Sequence, residues 1–245
     1  MSDAPDMTRP SSFPPAPPGA PPVDADGGIH GLPAAQRVLA ALRRMIIRGD
    51  LMPGSRIVER TLCAQLNVSR TPMREALKLL EIDGLIEISQ HRGARVLAFT
   101  AAEALELFEV LASLEGLAAE LAVARMTPSI ADALSHLHGR MREYHSTRNR
   151  DAYFDCNSQI HEMIVNAAGN RALVATRHNL MLRAKRGRYM AIMSISRWDE
   201  AMGEHEMLME ALHKGDPEEA GRVWRRHLMR TGETVAAAIA SAPSR

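Results

Sequence analysis

The chain has little cysteine, no long apolar run and almost no net charge. Its two cysteines, Cys63 and Cys156, lie far apart in 245 residues. This spacing argues against a disulfide-rich secreted domain and favours a reduced, cytoplasmic protein. No apolar stretch approaches the roughly 20 residues that a membrane-spanning helix needs, so no membrane partner is expected. The formal net charge of +1 by itself argues neither for nor against nucleic acid binding.

Residues 1–30 are rich in Pro, Ala, Asp, Ser and Gly and have few large apolar side chains. They also lack the basic start and the apolar core of a signal peptide. Such a segment cannot offset its ordering entropy by burying apolar surface, so it is predicted to be a disordered, Pro-rich tail.

Charge is distributed unevenly over the rest of the chain. Residues 33–97 contain 11 Lys and Arg against 6 Asp and Glu, whereas the residues from 98 onward contain 18 against 19. The basic excess therefore lies in one segment, and it marks that segment as the candidate for nucleic acid binding.

Residues 69–80 have the pattern of a short amphipathic helix with one basic face. Ser69 suits an N-cap whose hydroxyl accepts a backbone N–H, and Gly84 suits the left-handed position after the helix. Three basic residues recur at i, i+4 and i+8 on this face: Arg70, Arg74 and Lys78. Like charges at this spacing repel one another, and DNA phosphates would supply the counter-charge. Taken alone, the pattern also fits an ordinary solvated face.

The neighbouring residues predict a winged helix-turn-helix at 31–98. A helix at 32–48 comes first, and a short helix at 59–66 is joined to the basic helix by a tight connection. Downstream, 85–88 and 94–97 are expected to be two strands joined by a loop. The predicted domain is therefore three helices plus a two-stranded wing.

Residues 99–245 are predicted to be entirely helical. Thr100 and Glu103 have the spacing of a capping box, and further caps and Pro or Gly residues divide the segment into helices. Their number and length predict an all-α bundle of six or seven helices, so the fold class is mainly α.

Four polar residues of this bundle lie among apolar residues on predicted helix faces. Asn157 and His161 stand at i, i+4 on one helix, and His205 and His227 lie on two later helices. Inward imidazoles are costly unless paired, and three that converge suit a divalent transition metal. Each of the three histidines could also be an ordinary core residue whose hydrogen bonds are made within the bundle. This is the commoner role of a single histidine on an apolar face.

Both halves resemble one known family. The N-terminal half is similar to the GntR family of bacterial transcription regulators through Arg70-Thr71-Pro72-x-Arg74-Glu75-Ala76-Leu77, Gly84-Leu85-Ile86 and Gly93. The helical half resembles the FCD effector domain of FadR-type GntR regulators through Asn157-x-x-Ile160-His161, Ala167-Ala168-Gly169-Asn170, Glu204-His205-x-x-Leu208, Gly215-Asp216 and Arg226-His227-Leu228.

The resemblance implies roles for particular residues. The implied DNA contacts are Arg60, Arg70, Thr71, Arg74, His91 and Gly93. It also implies a bound divalent transition metal, Zn in the first place and Ni, Mn or Fe as alternatives. The implied ligands are Asn157, His161, His205 and His227. The family usually has Asp at the first of these positions, and Asn157 offers a carbonyl oxygen without a negative charge.

A second departure concerns the effector. The family commonly has an Arg where this chain has Leu111. Arginine pairs bidentately with carboxylates, so another basic residue is needed to hold a carboxylate effector. The fourth bundle helix, which carries several basic residues, is the candidate. The candidates are Arg183, Lys185, Arg186 and Arg188, of which Arg183 and Arg186 are preferred. A plain basic surface is an equally good interpretation of these residues.

We therefore expect a homodimeric transcription repressor, and not an enzyme, that binds a double-stranded DNA operator and a small carboxylic acid. The alternative is a metal-dependent hydrolase, because three histidines with open coordination positions could activate water. Glu204 and Glu206 flank one of the implied ligands, but neither is clearly placed as a general base.

Overall fold

The computed structural model describes residues 33–89 and 93–241, which form nine α-helices and three short strands. In chain order they are α1 (Ala34–Arg48), β1 (Arg56–Ile57), α2 (Glu59–Leu66), α3 (Arg70–Ile82), β2 (Ile86–Ser89), β3 (Gly93–Val96), α4 (Ala101–Arg125), α5 (Pro128–Ser146), α6 (Arg150–Ala167), α7 (Arg171–Ala191), α8 (Ile195–Lys214) and α9 (Pro217–Ala240). The predicted mainly α fold, a winged helix-turn-helix followed by a helical bundle, is confirmed. The predicted tail at 1–30 lies outside the described residues. No helix in the described part of the chain has both the length and the apolar character needed to cross a bilayer.

The N-terminal unit packs α1, α2 and α3 against the sheet. Its core includes Leu42 of α1, Met73 and Leu80 of α3, and Ile86 of β2, all almost completely buried. After α3 the chain turns back through Gly84, whose φ of 67° is left-handed, as predicted. Ser69 is the N-cap of α3, but its hydroxyl makes no capping hydrogen bond, contrary to the expectation from sequence.

The wing has one more strand than predicted. β1 pairs antiparallel with β3, and β3 pairs antiparallel with β2, which gives the order β1-β3-β2. The added strand has only two residues, Arg56 and Ile57, opposite Arg95 and Ala94. Two residues are too few to show the alternation by which a strand is recognised, and only pairing with β3 identifies this one.

The C-terminal unit contains the six helices α4 to α9. The capping box predicted at its start is present, because the Thr100 hydroxyl accepts from the Glu103 N–H and the Glu103 carboxylate accepts from the Thr100 N–H. The most extensive helix pair is α4 with α9. Gly232 of α9 permits this close approach, because a Cβ there would lie 2.6 Å from Cβ of Phe108 on α4.

The two units meet through α1 and α7. Arg186 Nη1 donates to the Ile46 carbonyl oxygen over 2.6 Å, near the end of α1. The Arg183 guanidinium lies 4.9 Å from the ring centroid of Phe99, in the segment that connects the units. A third contact joins Arg48 Nη1 to the Asp151 carboxylate at 3.5 Å. α7 therefore holds the helical bundle against both the first helix of the N-terminal unit and the connection.

We expect Gly232→Ala to lower the free energy of unfolding by about 1–3 kcal/mol, the usual cost of forcing an extra carbon into a packed core. Gly203→Ala is the matched control, because Gly203 is an exposed residue inside α8 with no atom within 4 Å of an added Cβ. There the substitution should stabilise by about 0.5–1 kcal/mol through helix propensity. Urea unfolding of both variants measures the difference. Equal stability of the two would contradict the packing at α4 and α9.

Candidate functional site

α3 presents the predicted basic face to solvent. Met73, Ala76, Leu77 and Leu80 are buried on one side of the helix. The other side carries the exposed residues Arg70, Thr71, Arg74 and Lys78. The spacing of apolar residues therefore orients the basic residues outward, where they can reach a polyanion.

Two further predicted DNA contacts lie on the same unit. Arg60 is exposed on α2, and Arg74 Nε lies 3.3 Å from the carboxylate of Glu59 at the start of that helix. Gly93 begins β3 with a φ of 73°, a conformation that favours glycine. His91, the predicted contact at the wing tip, lies outside the described residues.

Three histidines from three helices converge inside the bundle. His161 of α6, His205 of α8 and His227 of α9 each offer one ring nitrogen, and these nitrogens lie within 4.8 Å of one another. His161 and His205 are completely buried, and His227 is 3% exposed. The indole of Trp224 packs against all three rings, with centroid distances of 4.3, 4.8 and 4.7 Å.

Two buried carboxylates define the tautomers of two of these imidazoles. His161 Nδ1 donates to the Glu115 carboxylate, and His227 Nδ1 donates to Glu204 over 2.7 Å. Because a carboxylate can only accept, each Nδ1 carries the proton and each Nε2 presents a lone pair. Carboxylate–histidine pairs of this kind orient metal-ligating histidines in proteins.

The remaining ring nitrogens of the cluster are suited to a metal. His161 Nε2 and both ring nitrogens of His205 are buried and have no hydrogen-bond partner among the described residues. Burial lowers the pKa of His161 and of His205 well below the usual value, which keeps both rings neutral. Neutral imidazoles with free lone pairs are the state that binds a transition metal, so the residues fit such an ion.

Asn157, the fourth predicted ligand, lies one turn before His161 and is buried. Its Oδ1 accepts a hydrogen bond of 3.1 Å from Arg188 Nη2. Arg188 is itself buried, and its contacts are the Asn157 oxygen and the Met181 sulfur, while the Glu115 carboxylate acts on its charge from farther away. Burial lowers the pKa of its guanidinium to about 10, so the group remains charged.

Several residues at this site were not predicted. Glu115, Arg177 and Trp224 are buried around the histidines, and Arg177 Nε donates to Glu115 over 3.0 Å. Glu115 could have been identified from the sequence, because it is a charged residue four positions after Leu111 on the apolar face of α4. Arg177 and Trp224 could not have been identified in this way, since their helices carry many other basic or apolar residues.

Arg183 and Arg186, the preferred effector anchors, lie at the junction of the two units. Their contacts are the Phe99 ring and the Ile46 carbonyl described above, and not the histidine cluster. Their part in effector binding stays a prediction. Arg188, which was a lesser candidate on the same helix, is the one that points toward the cluster through Asn157.

Neither acidic residue beside His205 is free to act as a general base. Glu204 interacts with Arg197, Arg230 and His227. Burial opposes its ionisation, but the hydrogen bond from His227 and the charge of Arg197 outweigh it and lower the pKa of Glu204 to about 2. Glu206 forms a two-bond ion pair with Arg142 at the surface. The hydrolase alternative is not supported.

Comparison with known proteins agrees with this architecture. The family described as bacterial regulatory proteins, gntR family, matches residues 34–96, and the FCD domain matches residues 106–230. The chain is 27% identical to the HTH-type transcriptional repressor RspR of Escherichia coli K12 over 203 residues. These residues are 83% of this chain and 89% of RspR. It is 30% identical to the probable D-xylose utilization operon transcriptional repressor of Paenarthrobacter nicotinovorans over 183 residues. These residues are 75% of this chain and 80% of that repressor.

A solved structure described as E. coli McbR/YncC has the same fold, with a TM-score of 0.71 at 21% identity, over 81% of this chain and 95% of that one. The FCD match alone spans half of the chain, and the gntR match covers the winged helix with its exposed basic face. The chain therefore belongs to the GntR family of transcription regulators and carries an FCD domain after its winged helix-turn-helix.

Proposed function

We propose that this regulator is a homodimeric repressor whose FCD domain binds a small carboxylic acid beside a metal ion. Binding of the acid makes the dimer leave its operator or changes how the dimer is placed on it. Two similar proteins are named transcriptional repressors. A two-fold symmetric dimer would present two α3 helices to two half-sites of a near-palindromic operator.

The proposed metal ligands are His161, His205 and His227, with Zn, Ni, Mn or Fe as the ion. The unpartnered buried nitrogens of His161 and His205 support this assignment. Asn157 is a candidate fourth ligand, because its oxygen has a second lone pair besides the one that accepts from Arg188. When bound, the ion would supply a Lewis-acidic position for a carboxylate oxygen.

The observation that carries the effector proposal is the buried charge of Arg188. Arg188 is 3% exposed, and its guanidinium forms no ion pair with a carboxylate among the described residues, although the charges of Glu115 and Glu162 act on it from farther away. Withdrawing an unpaired charge from water costs several kcal/mol, even in a protein that relaxes around it. A carboxylic acid bound next to the histidines would supply the missing counter-charge, and arginine binds carboxylates through two parallel hydrogen bonds.

The route from this site to DNA runs along α7. The helix carries Arg177 and Arg188 at the bundle interior, and Arg183 and Arg186 at the junction with the winged helix. A ligand that prefers one position of α7 would therefore also favour one placement of α1. An effector with equal affinity for both placements would not change the equilibrium between them. It must therefore bind one placement more tightly than the other.

The first prediction from this proposal concerns DNA readout. Arg70→Ala and Arg74→Ala should each weaken binding to an operator selected in vitro from random DNA by about 5–150-fold, because a bidentate contact to guanine contributes roughly 1–3 kcal/mol. Binding to non-specific DNA should fall much less. Fluorescence anisotropy with labelled duplexes measures both affinities. Arg222→Ala, at an exposed arginine of α9 paired with Glu219, controls for the loss of one positive charge. Equal loss on both duplexes would mean that the two arginines touch only phosphates.

The second prediction concerns the metal. Protein purified without chelator should contain about one divalent ion per chain, as expected for a site of three histidines. His205→Ala should lose the ion, whereas His136→Ala, at an exposed histidine of α5, should keep it. Elemental analysis measures both. Chelation of the wild type should lower its melting temperature, because the ion binds only the folded state, and added Zn²⁺ should restore it. Metal-free protein that is indifferent to Zn²⁺ would identify the three residues as core histidines.

The third prediction concerns the effector. A small carboxylic acid that binds the metal-loaded protein should bind Arg188→Gln about 10–150-fold more weakly, since hydrogen bonds to charged groups contribute about 1.5–3 kcal/mol. Isothermal calorimetry on a panel of such acids gives the affinities. The variant should retain its metal, and Arg140→Gln, at an exposed arginine of α5, should bind as the wild type does. Unchanged affinity in Arg188→Gln would place the effector elsewhere.

A further inference from the structure

A cleft lies between the two units, apart from the histidine cluster. It has a volume of about 520 Å³, is open to solvent, and is bounded by α1 on one side and by α6 and α7 on the other. Cavities of about 300–1,000 Å³ are typical of small-molecule sites. Because one wall belongs to the DNA-binding unit and the other to the FCD domain, an occupant would contact both.

The lining of this cleft has an excess of positive charge. Lys185 of α7 is half-buried and forms no hydrogen bond or ion pair with the described residues, and the same holds for the more exposed Arg44 of α1. Arg43 and Arg48 also line it, but Arg43 already pairs with Asp83 and Arg48 with Asp151, and neither carboxylate belongs to the lining. The only carboxylate among the described lining residues is Asp155, whose Oδ2 lies 3.9 Å from Arg48 Nη2.

The surroundings of Lys185 are unfavourable for an ammonium group without a partner. Burial lowers its pKa, and the nearby guanidinium group of Arg188 lowers it further. Glu162 acts in the opposite direction, but Arg177 and Arg43 add to the lowering, and the pKa stays below its usual value. Arg177 and Arg43 already pair with carboxylates, so the repulsion that an anion next to Lys185 would relieve is chiefly that between Lys185 and Arg188. Arg44 on the opposite wall can contribute a second cation to such a ligand.

The rest of the lining suits the uncharged part of a small metabolite. Ile47, Phe154 and Leu182 provide apolar surface from α1, α6 and α7. Ser158 lies among them, and its hydroxyl is buried without a hydrogen-bond partner among the described residues. Ligand sites in proteins typically combine such an apolar surface with a few polar groups that orient the ligand.

We propose that this cleft is a second ligand site, and that it takes a phosphorylated small metabolite. The phosphate lies between Lys185 and Arg44, because a phosphate monoester carries close to two negative charges and three acceptor oxygens. Its carbon skeleton lies over Phe154 and Leu182, within reach of the Ser158 hydroxyl. This site does not depend on the metal or on the carboxylate effector. Its occupant binds α1 and α7 together and so stabilises one relative placement of the two units.

The test uses inorganic phosphate and ribose 5-phosphate as probes on the full chain, at constant ionic strength. Isothermal calorimetry should show ribose 5-phosphate binding to the wild type more tightly than inorganic phosphate, and ribose alone should not bind. Lys185→Met should reduce the affinity for ribose 5-phosphate at least about tenfold, as expected when a charge-assisted hydrogen bond is removed. Lys214→Met is the matched control, because Lys214 is an exposed lysine of α8 paired with Glu210, and its loss should leave binding unchanged.

A parallel titration separates this site from the metal centre. His205→Ala, or wild-type protein treated with chelator if that variant does not fold, should bind ribose 5-phosphate as the untreated wild type does. Three outcomes would overturn the proposal: no binding to the wild type, equal binding to Lys185→Met, or loss of binding when the metal is removed. The last would show that the phosphate binds at the metal, which would leave the metal proposal intact while excluding the second site.

Discussion

The helical domain depends on one buried carboxylate and the groups that compensate its charge. Glu115 of α4 is completely buried, and it accepts from His161 Nδ1 of α6 and from Arg177 Nε of α7. A buried carboxylate is tolerated only when its hydrogen bonds are made, and loss of one partner from such an ion pair typically costs about 3–5 kcal/mol. The charge of Glu115 therefore requires three helices to keep one relative position.

The same requirement orients the histidine cluster. Glu115 and Glu204 each accept a hydrogen bond from the protonated Nδ1 of one imidazole, and this leaves Nε2 of His161 and His227 without a proton. Trp224 fills the space beside the rings and limits their rotation. Burial keeps His161 and His205 neutral. These hydrogen bonds and contacts give the polar interior one defined arrangement.

α7 connects that interior to the DNA-binding unit. Arg177 and Arg188 reach inward from it, whereas Arg186 donates to the last turn of α1 and Arg183 covers Phe99. One helix therefore contacts both the polar interior of the bundle and the DNA-binding unit. The cleft beside Lys185 adjoins the same helix, so α7 is the element shared by the histidine cluster, the junction and this cleft.

Much of the fold was predictable because its signals are local. The apolar spacing of Met73, Ala76, Leu77 and Leu80 determines which side of α3 is buried, and with it the outward face of Arg70 and Arg74. The capping box of Thr100 and Glu103 marks the start of α4 for the same reason, since its bonds span three residues. The two-residue strand β1 escaped prediction, because its pairing with β3 joins residues almost forty positions apart in the chain.

The sequence by itself determined the two-part architecture, the basic face of α3 and the presence of histidines on apolar helix faces. Only the tertiary structure decided that three of these histidines meet, that Glu115 and Arg177 support them from 62 positions apart, and that Arg188 reaches Asn157 while Arg183 and Arg186 contact the other unit. The physical reason is that periodicity defines which face of a helix is buried, whereas the partners of that face depend on how distant helices pack together.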